Sequence, residues 1–170
     1  MAILVLLSAL IISCYTVAVC LKAKGIPYSI SATYYILGHR MWFGASMWLT
    51  GGLLMPVILE ISKTNTEFLA FLACVGIFLV GAAPNFKEEY ENKIHTTGAI
   101  MCVAGSQLWV AFNAWYMLVV WLAYIGYTAL SIAKQKEGVL WFKFYRTKPM
   151  FWVEIFALLT TYLSIIIIML

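Results

Sequence analysis

The feature that most constrains the fold is the stretch from Ile94 to Ala133, which contains no aspartate, glutamate, lysine or arginine. As one straight helix it would be about 60 Å long, twice the roughly 30 Å hydrocarbon core of a bilayer. A break is therefore required. Asn113 lies near the midpoint, and asparagine tolerates turn conformations that an aliphatic residue resists. The pattern predicts two membrane helices joined by a turn at residues 112–114.

The rest of the chain has the same apolar character, with 64% hydrophobic residues, 11% charged residues and a mean hydropathy of +0.94. Water-soluble domains are about half apolar and a quarter charged, so this composition indicates an integral membrane protein. Apolar runs alternate with polar connections and predict an all-α, polytopic bundle of six transmembrane helices in a single domain. The expected spans are approximately residues 2–21, 38–61, 66–83, 94–112, 114–133 and 151–170.

Basic residues are concentrated in the connections after the first, third and fifth predicted spans. The opposite side holds only Lys63, so the other ten of the 11 basic residues share one side: Lys22, Lys24, Arg40, Lys87, Lys93, Lys134, Lys136, Lys143, Arg146 and Lys148. Cytoplasmic connections carry such an excess, which places both termini outside the cytoplasm. We expect a multi-pass protein of the cell membrane, in bacteria the inner membrane. Topology thus explains the net charge of +4 without nucleic acid as a partner.

Two shorter patterns predict local structure. Thr64 and Glu67 have the spacing of a capping box, which predicts that the third span starts near Asn65. Aromatic residues alternate with cations between Val139 and Tyr145, which is typical of a segment that lies at the membrane surface.

Candidate functional residues gather on the predicted cytoplasmic face and along two helices that start there. His39 shares a helical face with Ser46 and Thr50, and His95 shares one with Cys102 and Ser106. These faces predict a cavity between helices; the alternative is that the histidines bond to headgroups and the small residues permit close packing. The candidate ligand-binding residues are Ser29, Ser31, Tyr35, His39, Arg40, His95, Gln107 and Glu154.

Metal and cofactor chemistry is not expected from this sequence. A catalytic metal needs about three protein ligands, and neither an HExxH nor a CxxC pattern is present among the 2 histidines and 4 cysteines. Gln107, in the middle of a span, is expected to bond between helices. Glu60 lies near the end of the second span, where we expect its carboxylate to reach water unless it has a function.

The segments PYSISATYY (residues 27–35), GAAPNF (81–86) and IHTTGA (94–99) carry a resemblance to small six-helix membrane proteins of gut bacteria and their phages, a group without an established function. A looser similarity, a proline after the third span and a histidine that opens the fourth, links the chain to broader six-helix families that include autophagy-modulator-like and lipid-remodelling-linked proteins. Those families often carry an acidic residue after the proline, where this chain has Asn85. The resemblance implies one compact bundle and supplies no reaction.

These observations leave three functions open. The first is a non-enzymatic protein that binds a lipid, a small hydrophobic ligand or a membrane protein partner through a cytoplasm-facing pocket. The second is an intramembrane enzyme that acts on lipid headgroups with His39, His95 and Glu154. The third is a small transporter or proton-coupled carrier, for which Gln107 and Glu60 would mark a polar path.

Overall fold

A computed structural model describes residues 1–36, 41–85 and 87–170 of the chain. Within these residues the fold is all-α, without a β-strand. Seven α-helices are present there: α1 Ala2–Ala23, α2 Met41–Glu60, α3 Glu67–Ala82, α4 Glu89–Asn113, α5 Val120–Ala133, α6 Leu140–Arg146 and α7 Pro149–Met169. Two 3₁₀ segments, Ser31–Tyr35 and Trp115–Val119, precede α2 and α5.

Five of these helices form a closed ring. Each helix in the order α1, α2, α3, α4, α7 packs against the next, and α7 returns to α1. Helix α5 lies outside the ring and packs mainly on α7, where Trp121 and Tyr124 stack on Phe156 and Tyr127 stacks on Trp152. The ring therefore encloses an interior that α5 does not reach.

The contact between α3 and α4 is set by glycine. A Cβ atom built on Gly76 would lie 2.4 Å from the backbone nitrogen of Cys102 and 2.6 Å from the carbonyl oxygen of Gly98. A Cβ atom built on Gly105 would lie 3.0 Å from the backbone nitrogen of Ala73. Small residues at such positions let two helix backbones approach closely. In a bilayer this close packing drives helix association, because the hydrophobic effect does not act between helices there.

The long apolar stretch is broken at Asn113, the last residue of α4, and Ala114 leaves the helical conformation with φ −149° and ψ 54°. The Asn113 side chain ties this end of α4 to the α2–α3 turn. Its Oδ1 accepts the backbone N–H of Lys63 at 2.8 Å, and its Nδ2 donates to Thr66 Oγ1 at 3.1 Å. Trp109 Nε1 donates to Ser62 Oγ in the same junction.

The start of α4 and the predicted cap of α3 differ from the structure. Helix α4 begins at Glu89 rather than at residue 94, because carboxylates in its first turn favour the helix N-terminus and Glu91 accepts the backbone N–H of Asn85. The prediction of a capping box at Thr64 is wrong. The N-cap of α3 is Thr66, and its hydroxyl donates back to the carbonyl of Lys63 instead of accepting from the helix.

The connection between α1 and α2 covers one end of the ring; we call residues 24–36 the cap segment. Phe151 donates its backbone N–H to Tyr28 at the start of α7, and the Tyr15 and Thr33 hydroxyls bond at 2.6 Å. On the other side, the Tyr35 hydroxyl donates to Asn85 and accepts the backbone N–H of Lys87. The cap segment is thus anchored to α1, to α7 and to the α3–α4 connection.

Among the described residues, four helical segments are long and apolar enough to cross a membrane: Ala2–Ala23, Met41–Glu60, Trp115–Ala133 and Pro149–Met169. Helix α3 is also apolar but shorter. Large hydrophobic side chains cover the outer surfaces, whereas buried hydroxyls such as Ser8, Thr160 and Ser164 line the interior contacts. So many large apolar side chains on the outer surface are unusual in a water-soluble domain and are compatible with a membrane protein.

Candidate ligand cavity

The ring of five helices and the cap segment enclose one elongated cavity. Its walls come from every helix of the ring, and Ile30 and Ser31 of the cap segment close one end. On α4 it extends from His95 to Ser106, about 16 Å at 1.5 Å per residue. The polar face predicted for α4, with His95, Cys102 and Ser106, therefore lines a cavity as its periodicity suggested.

Most of the cavity wall is apolar, and its ionisable groups are unevenly placed. Glu154 is the one acidic residue among the lining residues that the structure describes, and these include neither lysine nor arginine. Together with Ser31 and His95 it belongs to helix ends near the cap segment. The opposite end is lined by aliphatic side chains such as Leu54 and Ile58, and its hydroxyl groups bond within the protein: Ser106, Thr161 and Tyr162. The cavity therefore has its acidic group at one end and is mostly apolar along the rest.

Glu154 holds the cap segment in place through its carboxylate. Oε2 accepts the backbone N–H of Ile30, which is the N-cap residue of the 3₁₀ segment Ser31–Tyr35. Oε1 accepts the Ser31 hydroxyl at a longer distance, 3.4 Å. A 3₁₀ helix begins with unpaired N–H groups, and a carboxylate placed there satisfies them. This explains why an acid five residues inside α7 is tolerated.

His95 also satisfies free backbone groups, in its case carbonyl groups at the end of α3. It is 6% exposed, and its Nδ1 lies 2.9 Å from the carbonyl oxygen of Ala83. The ring also bonds to the carbonyl of Val80. In a continuing helix that carbonyl would accept the N–H of residue 84, which is proline and has none. The imidazole therefore replaces a donor that the sequence removes, while one face of the ring lines the cavity.

Ser29 and Tyr35 support the cap segment and do not line the cavity. Ser29 is buried, and its Oγ accepts the backbone N–H of Ala32 at 2.9 Å and lies 3.1 Å from Ser31 Oγ. The Tyr35 ring lies 4.4 Å below the Lys87 ammonium group, a cation–π contact that adds to its hydroxyl bonds. Both residues hold the cap segment, which also contains Ser31.

Gln107 joins three helices. Its Nε2 donates to the carbonyl of Ala157 at 3.1 Å, and its Oε1 accepts the indole N–H of Trp121 at 2.8 Å. Bonding between helices is the role expected from its position in the middle of a span. His39 and Arg40 lie outside the described residues, so the structure does not place these two predicted site residues.

Sequence reasoning did not single out Thr50 as a site residue, although it placed Thr50 on a polar face. Its side chain is 0% exposed and lines the cavity, and its Oγ1 has no hydrogen-bond partner. Beside it, Ser8 donates to the Thr50 carbonyl, so only the hydroxyl of Thr50 is unsatisfied. Tyr162 lines the same region and bonds to Ser8 Oγ at 2.6 Å. An unpaired hydroxyl depends on tertiary packing and leaves no sequence signal.

Metal binding has no geometric support in the part of the chain that the structure describes. No group of three histidine, cysteine, aspartate or glutamate side chains converges there. All four cysteines are free, and Cys74 and Cys102 line the cavity. The chemistry that the cavity offers is hydrogen bonding and charge at one end and apolar contact along the rest.

Comparisons with known proteins give no relative: no family model, no curated protein and no solved structure matches this chain. The class of protein that the fold defines is an all-α helical protein with several helices apolar enough for a membrane.

Proposed function

We propose that the chain is a six-span membrane bundle with both termini outside the cytoplasm, located in the inner membrane where the host is a bacterium. The spans are α1, α2, α3, α4, the segment Trp115–Ala133 and α7. Support comes from the outward-facing apolar side chains and from the hydrogen bonds that group the connections at two ends. The end with the cap segment carries the basic residues, and the end with the α2–α3 turn carries Lys63.

Cysteine labelling tests this topology. In a background without the 4 native cysteines, Lys63→Cys is expected to react with a membrane-impermeant maleimide in intact cells. Lys136→Cys is expected to react only after the membrane is permeabilised. Labelling of both positions from the same side would refute the six-span arrangement.

Within this bundle we propose a non-enzymatic function: the cavity binds a lipid or another small hydrophobic ligand. The observation that carries the proposal is the closed ring of helices around an apolar cavity with one polar end. Pockets for small molecules have this character, mostly apolar walls with a few polar groups that fix orientation. A ligand from the membrane would supply its apolar part to the wall and its headgroup to the polar end.

Binding is favoured over catalysis because the histidine of the cavity wall, the candidate general base, is committed to the protein backbone. His95 bonds to carbonyl groups at the end of α3. A general acid or base must reach a proton on the substrate. The same argument applies to a carrier, since Gln107 already bonds to α5 and α7.

A cavity-filling substitution tests the binding function. Ala99 lines the cavity on α4, whereas Ala104 on the same helix is exposed. We expect Ala99→Leu to lower the amount of lipid or hydrophobic ligand that co-purifies with the protein, measured by native mass spectrometry, and Ala104→Leu to leave it unchanged. Equal occupancy in both variants and the parent chain would refute binding in this cavity.

A further inference from the structure

The polar end of the cavity has an acidic group without a cationic partner in the described residues. Burial disfavours the ionised form of the Glu154 carboxyl group, whereas the hydrogen bonds that it accepts at both oxygens favour that form. The one ion pair found among residues 1–36, 41–85 and 87–170 is remote, between Glu89 and Lys93 on α4. A cationic group on the cavity side would favour the ionised form further and would give this buried acid a charged partner.

We propose that the cavity selects a single-chain amphiphile with a cationic amine headgroup. The ammonium group lies at Glu154 and Ser31, and the alkyl chain extends past Thr50 towards Leu54. This inference rests on the proposed binding function and names its ligand class. The 3.4 Å contact between Glu154 Oε1 and Ser31 Oγ is long for a hydroxyl bond to a carboxylate, so Oε1 retains capacity for an N–H donor of the ligand.

Cavity size limits the ligand to one chain. The centre of a water molecule can occupy about 100 Å³ of the cavity. One water needs about 10–15 Å³ of such volume, so the space holds roughly seven to ten water-sized groups. Roughly seven to ten methylene groups in a row form an alkyl chain of up to decyl length. The helical rise from His95 to Ser106 gives a length of about 16 Å, which is close to one leaflet of a bilayer core.

Charge then discriminates among chains of equal length. A decanoate carboxylate at this end would lie against Glu154 without a lysine or arginine among the described lining residues to offset it. Like charges in a site of low dielectric repel strongly, whereas an ammonium group gains a charge-assisted hydrogen bond. Decanol carries no charge and reports the contribution of chain and cavity alone.

The experiment compares decylamine, decanol and decanoate at neutral pH, each titrated calorimetrically into the full-length protein in non-ionic micelles. We expect decylamine to bind at least tenfold more tightly than decanoate, with decanol between them. Glu154→Gln is expected to reduce the ratio to about one while decanol binding is retained. The matched control is Glu60→Gln, at the far end of α2 and outside the cavity lining, which keeps the preference of the parent chain.

The outcomes separate this inference from the function on which it rests. Equal affinity for decylamine and decanoate, or a preference for decanoate, overturns the amine preference and leaves a hydrophobic ligand site in place. Absence of binding for all three overturns both proposals. Binding that persists unchanged in Ala99→Leu locates the amphiphile elsewhere and also overturns the inference. The parent-chain comparison needs no variant, so a Glu154→Gln protein that fails to fold does not remove the test.

Discussion

Replacement of the unpaired Thr50 hydroxyl by a methyl group is predicted to stabilise the protein. Thr50→Val keeps the shape and β-branching of the side chain and removes a buried polar atom that has no partner. Thr160 supplies the matched control, because it is also 0% exposed and lies in a ring helix, but its Oγ1 donates to the Phe156 carbonyl at 2.6 Å. The two substitutions are chemically identical and differ in whether a hydrogen bond is lost.

The magnitude follows from the cost of an unsatisfied group. A buried hydroxyl without a partner costs about 1–3 kcal/mol, and a typical intramolecular hydrogen bond contributes about 0.5–1.5 kcal/mol. We therefore expect Thr50→Val to be more stable than Thr160→Val by about 3 kcal/mol. For a chain of 170 residues, 1 kcal/mol corresponds to roughly 2–4 °C, so the melting temperatures should differ by about 6–12 °C.

Thermal unfolding of both variants in the same micelle, followed by tryptophan fluorescence, measures this difference. The samples must be stripped of co-purified ligand, because a bound molecule raises the melting temperature of the form that it binds. If Thr50→Val is destabilised as much as Thr160→Val, the Thr50 hydroxyl has a hydrogen-bond partner in the protein in solution. The reasoning from its unsatisfied state would then be wrong.

Three further substitutions test the packing and the junctions in the same unfolding assay. Gly76→Ala is expected to destabilise by more than 2 kcal/mol because its Cβ would meet the α4 backbone, whereas Gly52→Ala has open space around it and should be neutral or slightly stabilising. Asn113→Ala should cost about 1–3 kcal/mol, since it unpairs the backbone N–H of Lys63; no loss would refute the junction. His95→Leu should lower the melting temperature, and its cost should shrink in a Pro84→Ala background, where residue 84 regains an N–H for the Val80 carbonyl; additive costs would contradict the capping role.

Much of the helical pattern could be predicted from the sequence because it depends on local properties. Apolar runs and polar connections gave the helical segments, and the length limit of a membrane helix required the break that the structure has at Asn113. The partner of Asn113 could not be predicted in this way, since the Lys63 backbone lies 50 residues earlier. The capping box was wrong for a related reason: its spacing identifies Thr64, while the turn geometry places Thr66 at the N-cap.

The candidate site shows the same division. Periodicity placed His95, Cys102 and Ser106 on one face of α4, and that face lines the cavity. The sequence also identified Glu154 as an unusual acid within an apolar run. It did not show that the carboxylate caps the 3₁₀ segment, because the contact joins residues 124 positions apart. Burial and partners are tertiary properties, so a polar residue in a span identifies an interesting position and leaves its role open.

In the proposed binding function, the hydroxyls of α7 offer little to a ligand, and of Thr160, Thr161 and Ser164 only Thr161 lines the cavity. Thr160, Thr161 and Ser164 each donate to the carbonyl four residues earlier in the helix. Such internal bonds use the donor of each hydroxyl and leave little for a ligand. Along this wall a bound chain would meet methyl and methylene groups, which bind by area and discriminate weakly between chains. The amine preference that we propose then depends on Glu154 and Ser31 at the cap segment, where the same carboxylate that holds the cap also lines the cavity.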